Sequence, residues 1–358
     1  MFMTKPIVAK APARICFFGD HQDYLKLPVI AGTINRYIQV EGQRTNESDF
    51  NFYLTDIQKN KSINLNNKAH NILDGDYYHS VLYVLREKGF DFKQAYQGNI
   101  SGTIPINAGL SSSSALVVAW MRFLLKSIDQ EHKVTDEQIG RWAYEAEVSY
   151  FNQPGGLMDQ FTIAQGGLLY IDTLSTKSER LNANLGSLVI AESGLAKKTL
   201  KVLQNARAYS QGAIAAVQEK IVDFDIHKAD ETQYKEYLSL VPKEFQDHWY
   251  AAIHNHLLTQ KARSMLAGKQ TLNLEQLGSW MDAHQQILQE RIQNTPKAMQ
   301  QQLKAARKAG ALGAKVIGSG GGGCMVAMVT EETKEAVVRA FMDAGAPQAY
   351  EIELTIPQ

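Results

Sequence analysis

Apolar and polar positions alternate along the first third of the chain, then shift to helical spacing. Asn35–Arg44 alternates, with Ile38 and Val40 on one face, and predicts a half-buried strand. Phe50–Leu54 and Ser62–Leu65 predict shorter strands. Tyr77, Val81, Leu82, Val84 and Leu85 recur at helical spacing within Asp76–Lys88. Tyr96–Ile104 returns to alternation. The run LVVAWMRFLL at Leu116–Leu125 contains Arg122 and is too short to span a bilayer, so it predicts a buried helix reaching about Ile128. Thr135, with Gln138 three residues on, marks the start of a helix to about Ser149. Gly155-Gly156 break the chain, a helix follows from Met158, and Leu168–Asp172 reads as a strand.

The second half is mainly helical, over about Lys198–Val222, Lys243–Ala267, Asn273–Ile292 and Pro296–Ala309, with Pro296 at a helix start. Leu188–Ala191 is an apolar strand core. Ala314–Ile317 and Cys324–Val329 predict strands flanking a glycine loop. Glu331–Asp343 reads as a helix and Gln348–Leu354 as a closing strand. Strands and helices do not interleave regularly, so the fold class is α+β and not a doubly wound sheet. At roughly 150 residues per domain, 358 residues make about two domains. The division is expected near residue 173, giving 1–173 and 174–358.

Composition narrows the function. Lys+Arg and Asp+Glu both number 37, so no excess cation is present to neutralise phosphates, which argues against a dedicated nucleic-acid binder. A small anionic ligand needs only a local site and stays possible. Cys16 and Cys324 cannot form a disulfide framework or a zinc site by themselves. With no apolar signal-peptide core in MFMTKPIVAK, this predicts reduced thiols in a cytoplasmic, membrane-free protein.

Three segments carry candidate chemistry. In the first, Pro105 and Gly109 lead through Ser111, Ser112, Ser113 and Ser114 into the apolar helix. Unpaired N–H groups at a helix start, with small hydroxyl side chains, suit a phosphate or a Mg²⁺ ion. A serine-rich N-cap is the plainer alternative. The sequence is not a P-loop, and the H-R-D and D-F-G set of protein kinases is absent. In the second segment, five of the six positions Gly318–Gly323 are glycine, between apolar flanks. Ordering them is entropically costly, which suggests close approach to a ligand or a neighbouring loop rather than a floppy hairpin. The third is split between Arg14–Tyr24 (RICFFGDHQDY), expected just after an apolar strand, and Glu147–Gln160. Taken singly, these residues are better read as a solvated turn, a surface glutamate and a first-turn aspartate.

Together the segments resemble the galactokinase, homoserine kinase, mevalonate kinase and phosphomevalonate kinase superfamily. Its three motifs occur in order: Pro12-Ala13-Arg14 through Gly19-Asp20-His21-Gln22-Asp23-Tyr24, then Pro105–Ala115, then Gly318–Cys324. Leu277–Leu288 is similar to a helix in the second domain of these kinases. Sugar kinases fit best. The G-E-H-x-D-Y turn of galactokinases corresponds to Gly19–Tyr24, and their G-I-M-D-Q segment to Gly156-Leu157-Met158-Asp159-Gln160.

The resemblance implies a two-domain kinase fold. An N-terminal mixed domain would carry a phosphate loop unlike the P-loop, and a helix-rich α+β C-terminal domain the glycine motif. It implies Asp159 as base or positioning group, with Arg14 beside it. It implies a Mg²⁺ site at Glu147, twelve positions before Asp159, with Ser113. ATP would lie against Asn107, Ala108, Gly109, Leu110, Ser111, Ser112, Ser113, Ser114, Gly320 and Gly321. Asp20, His21, Asp23 and Gly156 would contact the sugar. Asp20 stands where galactokinases have a longer glutamate, and Leu25-Lys26-Leu27-Pro28 replaces their Asn-Gly-Gly. Gly166–Asp172 resembles glucuronokinases and heptose kinases as much as galactokinases. The expected reaction is transfer of the γ-phosphoryl of ATP to the anomeric hydroxyl of galactose, by a monomer or homodimer. Glucuronate, arabinose, a heptose phosphate and mevalonate are the alternative acceptors, and a sugar-sensing regulator the non-enzymatic alternative.

Overall fold

A computed structural model describes residues 5–66, 72–105, 109–128, 133–196 and 199–355. Two sheets organise the described residues. The first has seven strands: β1 (Ile7–Phe18), β2 (Val29–Arg44), β3 (Phe50–Leu54), β4 (Lys59–Ile63), β5 (Tyr96–Gly102), β6 (Leu168–Asp172) and β7 (Lys177–Arg180). Its order is β4-β3-β5-β2-β6-β7, with β1 paired antiparallel to β2. The β1–β2 register shifts between Pro12 and Ala13 and again between Cys16 and Phe18. Arg14 thus lies between two irregularities, the feature that re-aims side chains beside active sites. Arg14 sits inside β1, not after it as the sequence suggested.

Helices α2 (Ser112–Ser127) and α4 (Met158–Gln165) pack against this sheet, with α1 (Tyr77–Glu87) laid on α2 and α3 (Asp136–Tyr144) on α2 and α4. Helix α2 is apolar nearly all round because it is buried nearly all round. Trp120 and Phe123 stack on each other and meet Phe52 edge-on. The one charge in the LVVAWMRFLL run, Arg122, reaches out to Asp136 at 2.7 Å. Thr135 and Gln138 form the expected capping box.

The second sheet has the order β11-β8-β10-β9, from β8 (Ser187–Glu192), β9 (Gly313–Val316), β10 (Cys324–Val329) and β11 (Gln348–Ile352). Helices α9 (Lys297–Lys308) and α10 (Lys334–Asp343) pack against it. The rest of the second half is helical: α5 (Thr199–Gln218), α6 (Glu231–Tyr237), α7 (Gln246–Leu266) and α8 (Leu274–Ile287). The two-domain α+β expectation holds. β7 pairs with β6, so the first sheet runs on to Arg180, past the expected division near 173. The KSER stretch of β7 has no apolar alternation to reveal it. The turn after β1 crosses the division: Tyr24, Leu25 and Leu27 pack with Trp249 and Ile253 of α7. Among the described residues no helix is long and apolar enough to cross a membrane.

Candidate active site

Four separate stretches converge on one cleft. Strand β1 delivers Arg14, and the turn after it delivers His21 and Asp23. The start of α2 delivers Ser113 and Ser114, the segment before and into α4 delivers Gly156 and Asp159, and the glycine loop delivers Gly318 and Ser319. The cavity they line, with Glu147, Gln160, Tyr77 and Leu203, measures about 270 Å³. A larger, shallower concavity of about 740 Å³ lies over β2, β3 and β5. It gathers carboxamides and backbone but no convergent set of charges, so the smaller cleft is the candidate site.

At its centre Arg14 grips Asp159 with both arms, Nε to Oδ1 at 2.7 Å and Nη2 to Oδ2 at 2.8 Å. Its remaining arm donates to the Gly109 carbonyl at 2.9 Å, tying the serine loop to the same guanidinium. Burial works against the Arg14 charge, but Asp159 more than offsets it and holds the group above its ordinary value. Ser111 donates its hydroxyl to Asp159 Oδ2. Ser111 is the N-cap residue of α2, in left-handed backbone, and its side chain does not cap the helix. The N–H groups of the first turn of α2 therefore lack that partner and remain the anion-binding type of site.

Glu147 lies on a π-helical turn, Glu145–Ser149, that continues α3. Such turns recur at functional sites. Its Oε2 accepts from Gln160 Nε2 at 2.7 Å. Burial pushes the Glu147 carboxyl above its ordinary value, against hydrogen bonds from Gln160, Ser114 and Ser113. A buried carboxylate beside the Ser113 hydroxyl is a hard-oxygen donor set that fits a partly hydrated Mg²⁺. Among the described residues no group of three or more His, Cys, Asp or Glu could hold a metal unaided.

The turn Gly19–Tyr24 is held in an unusual backbone, with φ of +94° at Gly19 and +62° at His21. A Cβ at Gly19 would lie 2.8 Å from the Pro28 carbonyl oxygen, so the turn requires glycine there. His21 lies 3.0 Å from both the Tyr24 hydroxyl and the Ser319 carbonyl. Asp23 Oδ1 accepts the Tyr24 N–H at 2.9 Å. Burial, with Asp159 nearby, pushes the Asp23 pKa up to about 6. A Cβ on Gly156 would fall 2.1 Å from Asp23 Oδ2, so this glycine makes room for the carboxylate.

Several expected contacts differ. Asp20 does not line the cleft. Its carboxylate is sealed against Lys315 at 2.5 Å and accepts the Gly318 N–H at 2.8 Å, with both side chains at zero exposure. Leu110 is buried in the core, leaving only its backbone to the loop. Gly320 and Gly321 do not line the cleft either: Gly321 N–H donates to the Asn294 carbonyl at 2.6 Å, and a Cβ on Gly320 would lie 2.5 Å from that same oxygen. The expected ATP contacts Asn107 and Ala108 lie outside the described residues. The sequence reading missed Lys315 and Asn294. Lys315 stands in the otherwise apolar run AKVI, a signal that it needs a buried partner. Nothing local marks Asn294, which approaches His21 and the Ser319 carbonyl at 3.4 Å.

Comparison with known proteins bears on this geometry. The family model for the GHMP kinases N terminal domain matches residues 76–167, and that for the GHMP kinases C terminal matches residues 266–347. A galactokinase galactose-binding signature matches residues 1–44. A galactokinase from Exiguobacterium sibiricum is 26% identical, over 97% of this chain and 89% of that protein. A mevalonate kinase from Thermococcus gammatolerans is 23% identical, over 97% of this chain and 96% of that protein. Among solved structures, Lactococcus lactis galactokinase complexed with galactose superposes with a TM-score of 0.85, at 19% identity, over 98% of this chain and 94% of that one. Methanococcus jannaschii mevalonate kinase gives 0.73, also at 19% identity, over 98% and 99%. At such identities the structural likenesses establish the fold.

Proposed function

The chain belongs to the GHMP kinase superfamily of ATP-dependent small-molecule phosphotransferases, and from that premise we propose that it phosphorylates the anomeric hydroxyl of galactose. The observation that carries the choice of a neutral sugar is the charge of the cleft. Among the described residues, Asp23, Glu147 and Asp159 line it, against a single arginine already committed to Asp159 and no lysine. An acceptor bearing its own carboxylate or phosphate would bring a further negative charge to a wall whose described residues offer no spare lysine or arginine. That counts against mevalonate, glucuronate and a heptose phosphate. The signature matched on residues 1–44 supports galactose within the neutral sugars.

Phosphoryl transfer asks for positioning and charge neutralisation more than for covalent help. The uncapped first turn of α2 and the serines Ser112 to Ser114 would cradle the phosphates of ATP. Glu147 and Ser113 would hold Mg²⁺, which when bound neutralises charge on the phosphate oxygens. Asp159, gripped on both oxygens by Arg14, is a weak base but a well-fixed acceptor that orients the attacking hydroxyl and takes its proton as the bond forms. Asp23 would accept from a second sugar hydroxyl, so an acceptor lacking that hydroxyl would leave this carboxylate one donor short.

The test is an ATP-consumption screen over galactose, arabinose, glucuronate, heptose 7-phosphate and mevalonate, with the product resolved by phosphorus NMR. Galactose 1-phosphate is the expected product. Turnover confined to an anionic acceptor would overturn the charge argument. Sugar binding without turnover on any acceptor would favour the regulator.

A further inference from the structure

We propose that Asp20 and Lys315 are a positioning pair that sets the glycine loop against the catalytic arginine, and that Asp20 is not a sugar ligand. The rate arm of this inference rests on the kinase reading; the exchange arm does not.

Each polar atom of the pair is accounted for. Lys315 Nζ donates to Asp20 Oδ2 at 2.5 Å, to the Val316 carbonyl at 2.6 Å and to the Cys16 carbonyl at 3.2 Å. An ammonium has three protons, so none is left for substrate. Asp20 Oδ1 accepts the Gly318 N–H at 2.8 Å. Both side chains have zero exposure. Burial pushes the Asp20 pKa up, but Lys315 more than offsets this, and the carboxyl stays below its ordinary value. His284 of α8 supports the same turn by accepting the Gly19 N–H at 3.2 Å.

The pair connects elements that meet in the cleft. Cys16 is on β1 and Lys315 on β9, so the ammonium bridges the two sheets. Gly318 is the first loop residue, and a Cβ there would lie 3.6 Å from Arg14 Nη2. The next residue, Ser319, presents its carbonyl to His21 at 3.0 Å. Fixing the Gly318 peptide therefore fixes the loop face against which Arg14 and His21 rest. A side chain one methylene longer at position 20 would not fit this sealed geometry without displacing Lys315 or the loop. A buried ion pair contributes little net stability compared with apolar residues of similar volume, so its use here points to placement.

The test uses the full chain with galactose as acceptor, and native-state amide exchange without any ligand. In the double variant Asp20→Leu/Lys315→Met the pair is replaced by apolar residues, which preserves the fold while removing the Gly318 acceptor. The expected result is a fall in kcat of about tenfold or more, with KM for galactose and for ATP changed less than about threefold. In the same double variant, which has no acceptor at position 20, exchange at the Gly318 amide should speed up at least about tenfold. A wild-type kcat in the double variant would overturn the proposal. A rise in galactose KM at unchanged kcat would also overturn it, by making Asp20 a substrate ligand. So would unchanged exchange at Gly318. If wild-type protein does not turn over galactose, the galactose reading fails, and the exchange measurement still decides the role of the pair.

Discussion

The stretch Arg14–Tyr24 supplies one partner to each of two cation–aspartate pairs, and the pairs differ chiefly in what surrounds them. Arg14 meets Asp159 at 2.7 Å, with the Asp159 side chain 27% exposed toward the cleft. Lys315 meets Asp20 at 2.5 Å, with neither side chain exposed at all. The open pair presents a carboxylate edge that an acceptor hydroxyl can reach. In the sealed pair every contact is internal, so the same chemistry yields only geometry. Whether a charged group in a motif touches substrate is thus decided by burial and by the number of partners, and not by residue type.

The largest effect should follow from Asp159→Asn in the open pair. The amide cannot accept both Arg14 arms, and it neither orients nor deprotonates a hydroxyl as a carboxylate does. Turnover should fall by about 10³-fold while ATP affinity, read by calorimetry, stays within about threefold. Turnover close to wild type would remove the open pair from the centre of the reaction.

Next comes a contrast in stability. Lys315→Met leaves Asp20 buried without its cation and should cost about 3–5 kcal/mol, read by denaturant unfolding at neutral pH. Arg14→Met leaves a carboxylate that the cleft can hydrate, so its cost should be markedly smaller even though it harms turnover more. Equal losses would mean that exposure does not separate the two pairs as argued.

The open pair was legible through a family resemblance, and the sealed pair was not legible at all. Glu147 and Asp159 stand twelve positions apart on either side of the Gly155-Gly156 break, and taken singly each reads as a surface or first-turn carboxylate. Arg14 could be joined to them only through a family resemblance. Asp20 and Lys315 are brought together by the approach of β1 to β9, which no local pattern encodes. The same holds for Ser111: its sequence context predicts a cap, but its left-handed backbone and the nearby Asp159 turn the hydroxyl elsewhere. Most helix and strand cores were legible because their periodicity reports burial directly. The exceptions have physical reasons. β7 is an edge strand of polar residues, and α6 (ETQYKEY) buries none of its side chains. The two π-turns, Glu145–Ser149 and Leu288–Ile292, continue the spacing of the helices before them and cannot be told from α-helix by pattern.

The smallest effect concerns Asp23, which shares the cleft with the open pair but has another carboxylate as its charged neighbour. Burial, then Asp159, raises its pKa to about 6, above the ordinary value of 3.8. The sign follows from linkage. Below the unfolded value both states hold the proton and Asp23 is neutral in each. As pH rises from 4 towards 6 the unfolded chain gives up the proton first, so stability falls, and it levels off once the folded group has ionised. Asp23→Asn removes this loss. The variant should match the wild type in unfolding free energy near pH 4 and exceed it by roughly 2 kcal/mol at pH 7. The same ionisation should show in binding, because only the carboxylate accepts strongly from a sugar hydroxyl. Galactose KM should therefore drop as pH rises through 6 in the wild type and stay flat through that range in Asp23→Asn. If stability followed this course while KM did not, Asp23 would be a strained neighbour of Asp159 without a hand in binding the sugar, and recognition would have to come from His21 and the cleft backbone.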